Sequence, residues 1–158
     1  MAEKGILDWN VRRTPIAVLD FETTGMSAGR DRVVEVSVVR AEPDEEPEVV
    51  FDTLVNPERP VAATHVHGIT NADVRDAPTF EEISGDLVAA TRGCVLAAYN
   101  VYFDIRFLRH ELGRLGADCS IPHLCLMWMR PMLGLGRRCG LGRACSEFGI
   151  QLTDAHHA

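Results

Sequence analysis

Residues 16–25, IAVLDFETTG, constrain this chain more than any other stretch. Ile16 to Leu19 are an apolar run with β-branched members, which reads as a buried strand. Asp20 and Glu22 follow at i and i+2. Strand side chains alternate between faces, so both carboxylates point to the same side. Two anions at the end of a buried strand repel each other and resist desolvation. A divalent cation would remove that conflict, and an all-oxygen donor set suits Mg²⁺ or Mn²⁺ rather than zinc. Taken alone, the D-x-E pair reads better as a strand ending in a solvated acidic turn, because two acids near a strand end are common.

The chain has 158 residues, enough for one domain with a proper core, and its 46% hydrophobic and 25% charged content is ordinary for a globular fold. Its formal net charge is −7. That excludes a protein that coats long nucleic acid through its whole surface. Any nucleic-acid contact must be local, with metal ions supplying part of the positive charge. Charges or glycines interrupt every apolar run, so no membrane span is expected, and the N-terminus lacks a signal-peptide core. A cytoplasmic location with no membrane partner follows. The five cysteines are an odd, scattered set. Cys119 and Cys125, then Cys139 and Cys145, repeat one step with His123 nearby, but not at C-x₂-C spacing. Reduced, structural thiols are expected rather than a zinc site.

Taken in order, residues 1–14 are a lead-in and 15–158 the folded domain. Strands are expected at 16–21, 32–40 and 49–55. Val34, Val36 and Val38 would share one face of the second strand, and Val33, Glu35, Ser37 and Val39 the other. Short links make these three strands an antiparallel meander. The acidic stretch 42–48 connects two of them as a solvated loop. Residues 61–70 contain a short helix. T-x-x-E at Thr79–Glu82 is a capping box, so a helix begins at Phe80, with Phe80, Ile83, Leu87 and Ala90 at helical spacing and Gly93 as its stop. CVLAA at 94–98 is a short buried strand. Residues 102–115 form a helix whose apolar face is Phe103, Phe107, Leu108, Leu112 and Leu115. A fifth strand is expected at 121–126 and helices at 126–133 and 141–148. Between these helices GLGRRCGLG, 134–142, reads as a flexible basic loop. The result is an α/β fold with a mixed five-stranded sheet, a meander plus parallel strands, flanked by helices.

Asp104 sits in the first turn of the helix after the fourth strand, where the helix dipole favours its anion. Together, LDFETTG (19–25), NVYFD (100–104) and DAHHA (154–158) resemble, in order, the three motifs of the DEDDh 3′→5′ exonucleases of the ribonuclease H-like fold. VHGI (66–69) and the FGI ahead of the third motif are similar to the epsilon proofreading branch. The resemblance covers nearly the whole chain from about residue 15. It implies Asp20, Glu22 and Asp104 as metal ligands, two Mg²⁺ or Mn²⁺ ions in a complete site, and His156 as general base. A histidine suits that role because its ordinary pKa is near neutral. It also implies Phe21, Thr23, Thr24, His67, Asn100 and Phe103 as contacts to the terminal nucleotide. His67 reads equally as an ordinary helix-end histidine, and Arg137, Arg138 and Arg143 as members of a solvated loop rather than phosphate contacts. The implied reaction is two-metal hydrolysis of phosphodiesters at a single-stranded DNA or RNA 3′ end, with a DNA polymerase subunit as a possible partner.

The third motif, H-x-A-x-x-D, closes with an aspartate that would fall beyond Ala158. The expectation is therefore an exonuclease domain incomplete at its C-terminus, with His156 poorly held and turnover weak. The alternative function is a catalytically weak module that binds a nucleic-acid end or a polymerase.

Overall fold

The computed structural model describes residues 13–152 except 119. The lead-in up to residue 12 and the third motif from 153 onward, His156 included, lie outside the described residues. Strand β1 is Ile16–Thr23, β2 Val33–Ala41 and β3 Glu48–Leu54. Two short helices follow, α1 Thr64–His67 and α2 Asn71–Val74. Helix α3 Phe80–Thr91 leads into β4 Val95–Ala98, and α4 Val101–Arg114 into β5 His123–Cys125. Helices α5 Leu126–Met132 and α6 Leu141–Glu147 complete the described chain.

The sheet order is β3-β2-β1-β4-β5. The first three strands pair antiparallel, while β4 runs parallel to β1 and β5 parallel to β4. This is the expected mixed sheet. Its core face carries Ala17, Leu19 and Phe21 of β1 and Leu96 and Ala98 of β4. Phe80, Ile83 and Leu87 of α3 and Ile105, Leu108 and Leu112 of α4 pack into the same core. The capping box forms as expected: the Thr79 hydroxyl accepts from the Glu82 N–H, and the Glu82 carboxylate accepts from the Thr79 N–H at 2.7 Å.

Three expectations are corrected and one helix is added. Strict alternation fails at Val34, because a bulge shifts the register from Glu22↔Glu35 to Thr23↔Val33. The extra residue turns Val34 into a small cluster with Val61 and Val74, while Val33 joins Val36 and Val38 in the main core. In α4, Leu115 is 39% exposed, and Glu111 is the buried member of the apolar stripe at 1%. The unforeseen helix α2 has its own capping box between Thr70 and Asp73. The 134–142 loop is pinned rather than free. Arg130 donates to the carbonyls of Leu135 and Arg137, and the Tyr99 hydroxyl donates to that of Cys139 at 2.6 Å. Cys94, Cys125 and Cys145 are buried thiols and Cys139 is half-buried, each free of a disulfide. Cys119 is outside the described residues.

Candidate active site

The alternation expected in β1 is observed. Ala17, Leu19, Phe21 and Thr23 are buried, whereas Asp20 is exposed and Glu22 half-buried on the opposite face. The parallel pairing of β1 with β4 runs only from Ile16↔Val95 to Val18↔Ala97. Beyond it, the Phe21 N–H is taken by Asp104, whose Oδ1 accepts at 3.2 Å. Asp104 reaches that position because α4 starts directly after β4, with Asn100 as its N-cap. One hydrogen bond therefore ties the second motif to the backbone of the first, next to both strand carboxylates.

The electrostatics of this corner are strained. Burial, the Asp20 charge beside it and more weakly that of Glu22 push the Asp104 carboxyl up to about 7, against the pull of the backbone N–H groups it accepts from. Burial and repulsion thus outweigh the helix N-terminus and the Phe21 N–H. Among the described residues, no three His, Cys, Asp or Glu side chains form a closed set that would hold an ion unaided. The oxygen-only chemistry of Asp20, Glu22 and Asp104, and their mutual repulsion, nonetheless fit a divalent hard cation. The residues of the third motif lie outside the described chain.

The other motif residues build the walls of this corner. The Thr23 hydroxyl donates to the Gly25 carbonyl at 2.7 Å. Thr24 is buried; its hydroxyl donates to Asp31 Oδ1 and accepts from the Arg32 N–H. The Asp31 carboxylate also receives the Ser27 N–H at 3.0 Å, so it closes the turn after β1. Gly25 lets the carboxylate approach, since a Cβ there would lie 2.7 Å from Asp31 Oδ2 and force that side chain to shift. His67 is buried and clamps two backbone segments. Its Nδ1 accepts from the Ile69 N–H at 3.1 Å, which leaves Nε2 to donate to the Thr23 carbonyl at 3.2 Å. Asn100 is exposed at the same corner, and half-buried Phe103 packs against Phe107 with ring centroids 5.0 Å apart. Tyr99, Asn100 and Asp104 thus follow β4 where Asp20 and Glu22 end β1.

Sequence reasoning missed Asp31, Arg32 and Glu111. The Arg32 Nε donates to Glu111 Oε1 at 2.7 Å, and Arg114 pairs with Oε2 at 3.0 Å. This network joins the start of β2 to the end of α4. The signal available for Glu111 was an acid inside a helical apolar stripe; Asp31 carried none.

The chain is similar to known proteins over most of its length. The exonuclease family model matches residues 17–158. An epsilon-like DNA polymerase III protein of Rhodobacter capsulatus is 37% identical over 77% of this chain, which spans 18% of that protein. The DNA polymerase III epsilon subunit of Treponema pallidum is 30% identical over 97% of this chain and 75% of its own length. PolC-type DNA polymerase III of Caldanaerobacter subterraneus is 35% identical over 63% of the chain, which spans only 7% of it. E. coli exonuclease I in complex with a dA16 oligonucleotide superposes with a TM-score of 0.74 at 20% identity, over 92% of this chain and 38% of its own. The chain belongs to the exonuclease family, as a DEDD-type 3′→5′ exonuclease domain of ribonuclease H-like fold related to epsilon. That family is divalent-metal dependent. No helix among the described residues is long and apolar enough to cross a membrane.

Proposed function

We propose that this chain hydrolyses phosphodiester bonds from the 3′ end of single-stranded DNA, releasing 5′-mononucleotides, and serves proofreading or repair beside a DNA polymerase. The observation that carries this is the hydrogen bond from the Phe21 N–H to Asp104, which brings the acids of two motifs to one corner of the sheet. Asp20, Glu22 and Asp104 would hold Mg²⁺ or Mn²⁺, given their oxygen-only donor set. Bound there, such ions supply an activated water and stabilise a leaving oxygen.

The chain's own residues do the positioning. The Thr23–Gly25 and Thr24–Asp31 bonds fix the turn beyond the carboxylates, and His67 fixes its backbone from below. With both nitrogens committed to the backbone, His67 would shape the pocket for a terminal nucleotide rather than move a proton. Asn100 offers an exposed amide to the same nucleotide, and Phe21, Thr23, Thr24 and Phe103 its apolar and hydroxyl surroundings. His156 would take the proton from the attacking water. DNA is favoured over RNA by the relatives, a DNA polymerase III epsilon subunit, a PolC-type DNA polymerase III and an epsilon-like protein.

The test is hydrolysis of single-stranded DNA, linear and circular, with Mn²⁺. The linear strand labelled at its 3′ end should lose labelled mononucleotide first, and the circle should stay intact. Circles cut as fast as linear strands would overturn the reading.

A further inference from the structure

The strands β1, β4 and β5 run parallel, so their C-terminal ends share one edge of the sheet. In such sheets ligands bind outside the carboxyl ends of the strands. Asp20 and Glu22 end β1, Asn100 and Asp104 follow β4, and α5 starts directly at the end of β5. The Met127 N–H donates to the Tyr99 carbonyl at 2.9 Å, which fastens α5 to the end of β4. At the level of Ala97, Val18 of β1 and Leu124 of β5 therefore stand two strand spacings apart, roughly 10 Å.

Past the end of β5 lies an aromatic and basic surface that the catalytic corner does not use. Trp128 of α5 is 43% exposed, and the Arg138 guanidinium stacks over its ring, 3.9 Å from the centroid. Among the described residues, neither Arg137 nor Arg138 pairs with a carboxylate, whereas Arg143 is committed to Glu147 at 3.0 Å. These two cations, without a carboxylate partner among the described residues, sit on a chain whose net charge is −7. Their loop is held in place. Arg130, itself buried and paired with Glu147, grips the carbonyls of Leu135 and Arg137 on one side, and Tyr99 grips that of Cys139 on the other. The platform is thus built in advance, and ordering it costs little on binding.

We propose that Trp128, Arg138 and Arg137 form a docking platform for the single strand, holding nucleotides that lie upstream of the one in the catalytic corner. A flat exposed indole backed by a guanidinium, with a second cation beside it, matches alternating bases and phosphates. Bases of any identity stack on such a face, and Arg adds a cation–π contribution. The platform rests on the exonuclease reading for its direction, since the 3′ nucleotide occupies the carboxylate corner.

Phosphorothioate-linked single strands with a free 3′ end, a dinucleotide and one of about ten nucleotides, test it by fluorescence anisotropy across a salt series. The parent chain should bind the longer strand more tightly. Trp128→Ala should weaken the longer strand about tenfold and leave the dinucleotide unchanged. Trp128→Phe should recover most of the loss, which separates stacking from a merely structural role. Arg138→Ala should lower the salt slope by about one. Equal affinity of all variants for the longer strand, or no gain from dinucleotide to longer strand in the parent, overturns the platform. Hydrolysis of a 3′-labelled strand is followed in parallel. A parent that cleaves while all variants bind alike leaves the exonuclease reading standing and removes only the platform. A parent that cleaves nothing but shows Trp128-dependent binding keeps the platform and removes the exonuclease reading.

Discussion

At Asp104, burial and the neighbouring Asp20 raise the carboxyl to about 7, well above its ordinary value of 3.8. A carboxyl whose folded pKa is raised stabilises the fold only while protonated. Its contribution is fully present below the unfolded pKa, is lost progressively as pH rises from about 4 to about 7, and changes no further above that. Asp104→Asn keeps an acceptor for the Phe21 N–H and removes the charge. The variant should melt higher than the parent at pH 8 without added metal and at the same temperature near pH 4. Ion binding needs the ionised carboxylate, so the parent's Mn²⁺ affinity should fall as pH drops below about 7, by up to tenfold per unit. Calorimetry at several pH values checks both. A second residue-scale test concerns Glu111. Arg32→Ala would leave its buried carboxylate with the half-exposed Arg114 and a long 3.4 Å hydrogen bond from the Val33 N–H, at a cost of about 3 kcal/mol read by urea unfolding. The acids of the site were legible because each lies inside a local pattern, a strand end or a first helical turn. Asp31, Arg32 and Glu111 were not, because their partners are distant in sequence and nothing local distinguishes them from surface charges.

The turn between β1 and β2 is the element on which the corner depends. Asp31 receives the Ser27 N–H and the Thr24 hydroxyl, and the backbone of Gly25 passes close against it. Gly25→Ala would drive a methyl into the Asp31 carboxylate, with a destabilisation of about 1–3 kcal/mol and a displaced Thr23–Thr24 segment. Thermal unfolding gives the first, and a raised KM for single-stranded DNA the second. Helices α3 and α4 were readable to within a residue or two, because capping residues and apolar spacing agree with the tertiary packing. The edge of β2 was less so. A bulge changes the period for one residue and sends Val34 away from Val36, and no local residue type announces it. The pinned loop after α5 was unreadable for a different reason. Its glycines and arginines suggest freedom, while the groups that hold it, Tyr99 and Arg130, come from other elements.

Across the whole molecule, the mixed sheet separates support from chemistry. The core face of the sheet packs under α3 on β2 and β3 and under α4 on β1, β4 and β5, and β1 presents Asp20 and Glu22 on its other face. An acidic chain with a local carboxylate cluster gains from a cation twice, by neutralising the cluster and by drawing in a polyanion. The three carboxylates should therefore act as one centre. Removing Asp20, which is exposed and lies outside the hydrophobic core cluster, should relieve repulsion and leave the fold intact. The most direct measurement is calorimetric titration of the parent chain and of Asp20→Ala with Mn²⁺ at pH 8, alongside their melting temperatures. The expected result is an isotherm for the parent, loss of at least tenfold in affinity for the variant, and a melting temperature unchanged or slightly raised. An unchanged Mn²⁺ affinity in Asp20→Ala would contradict the assignment of these carboxylates as the metal centre.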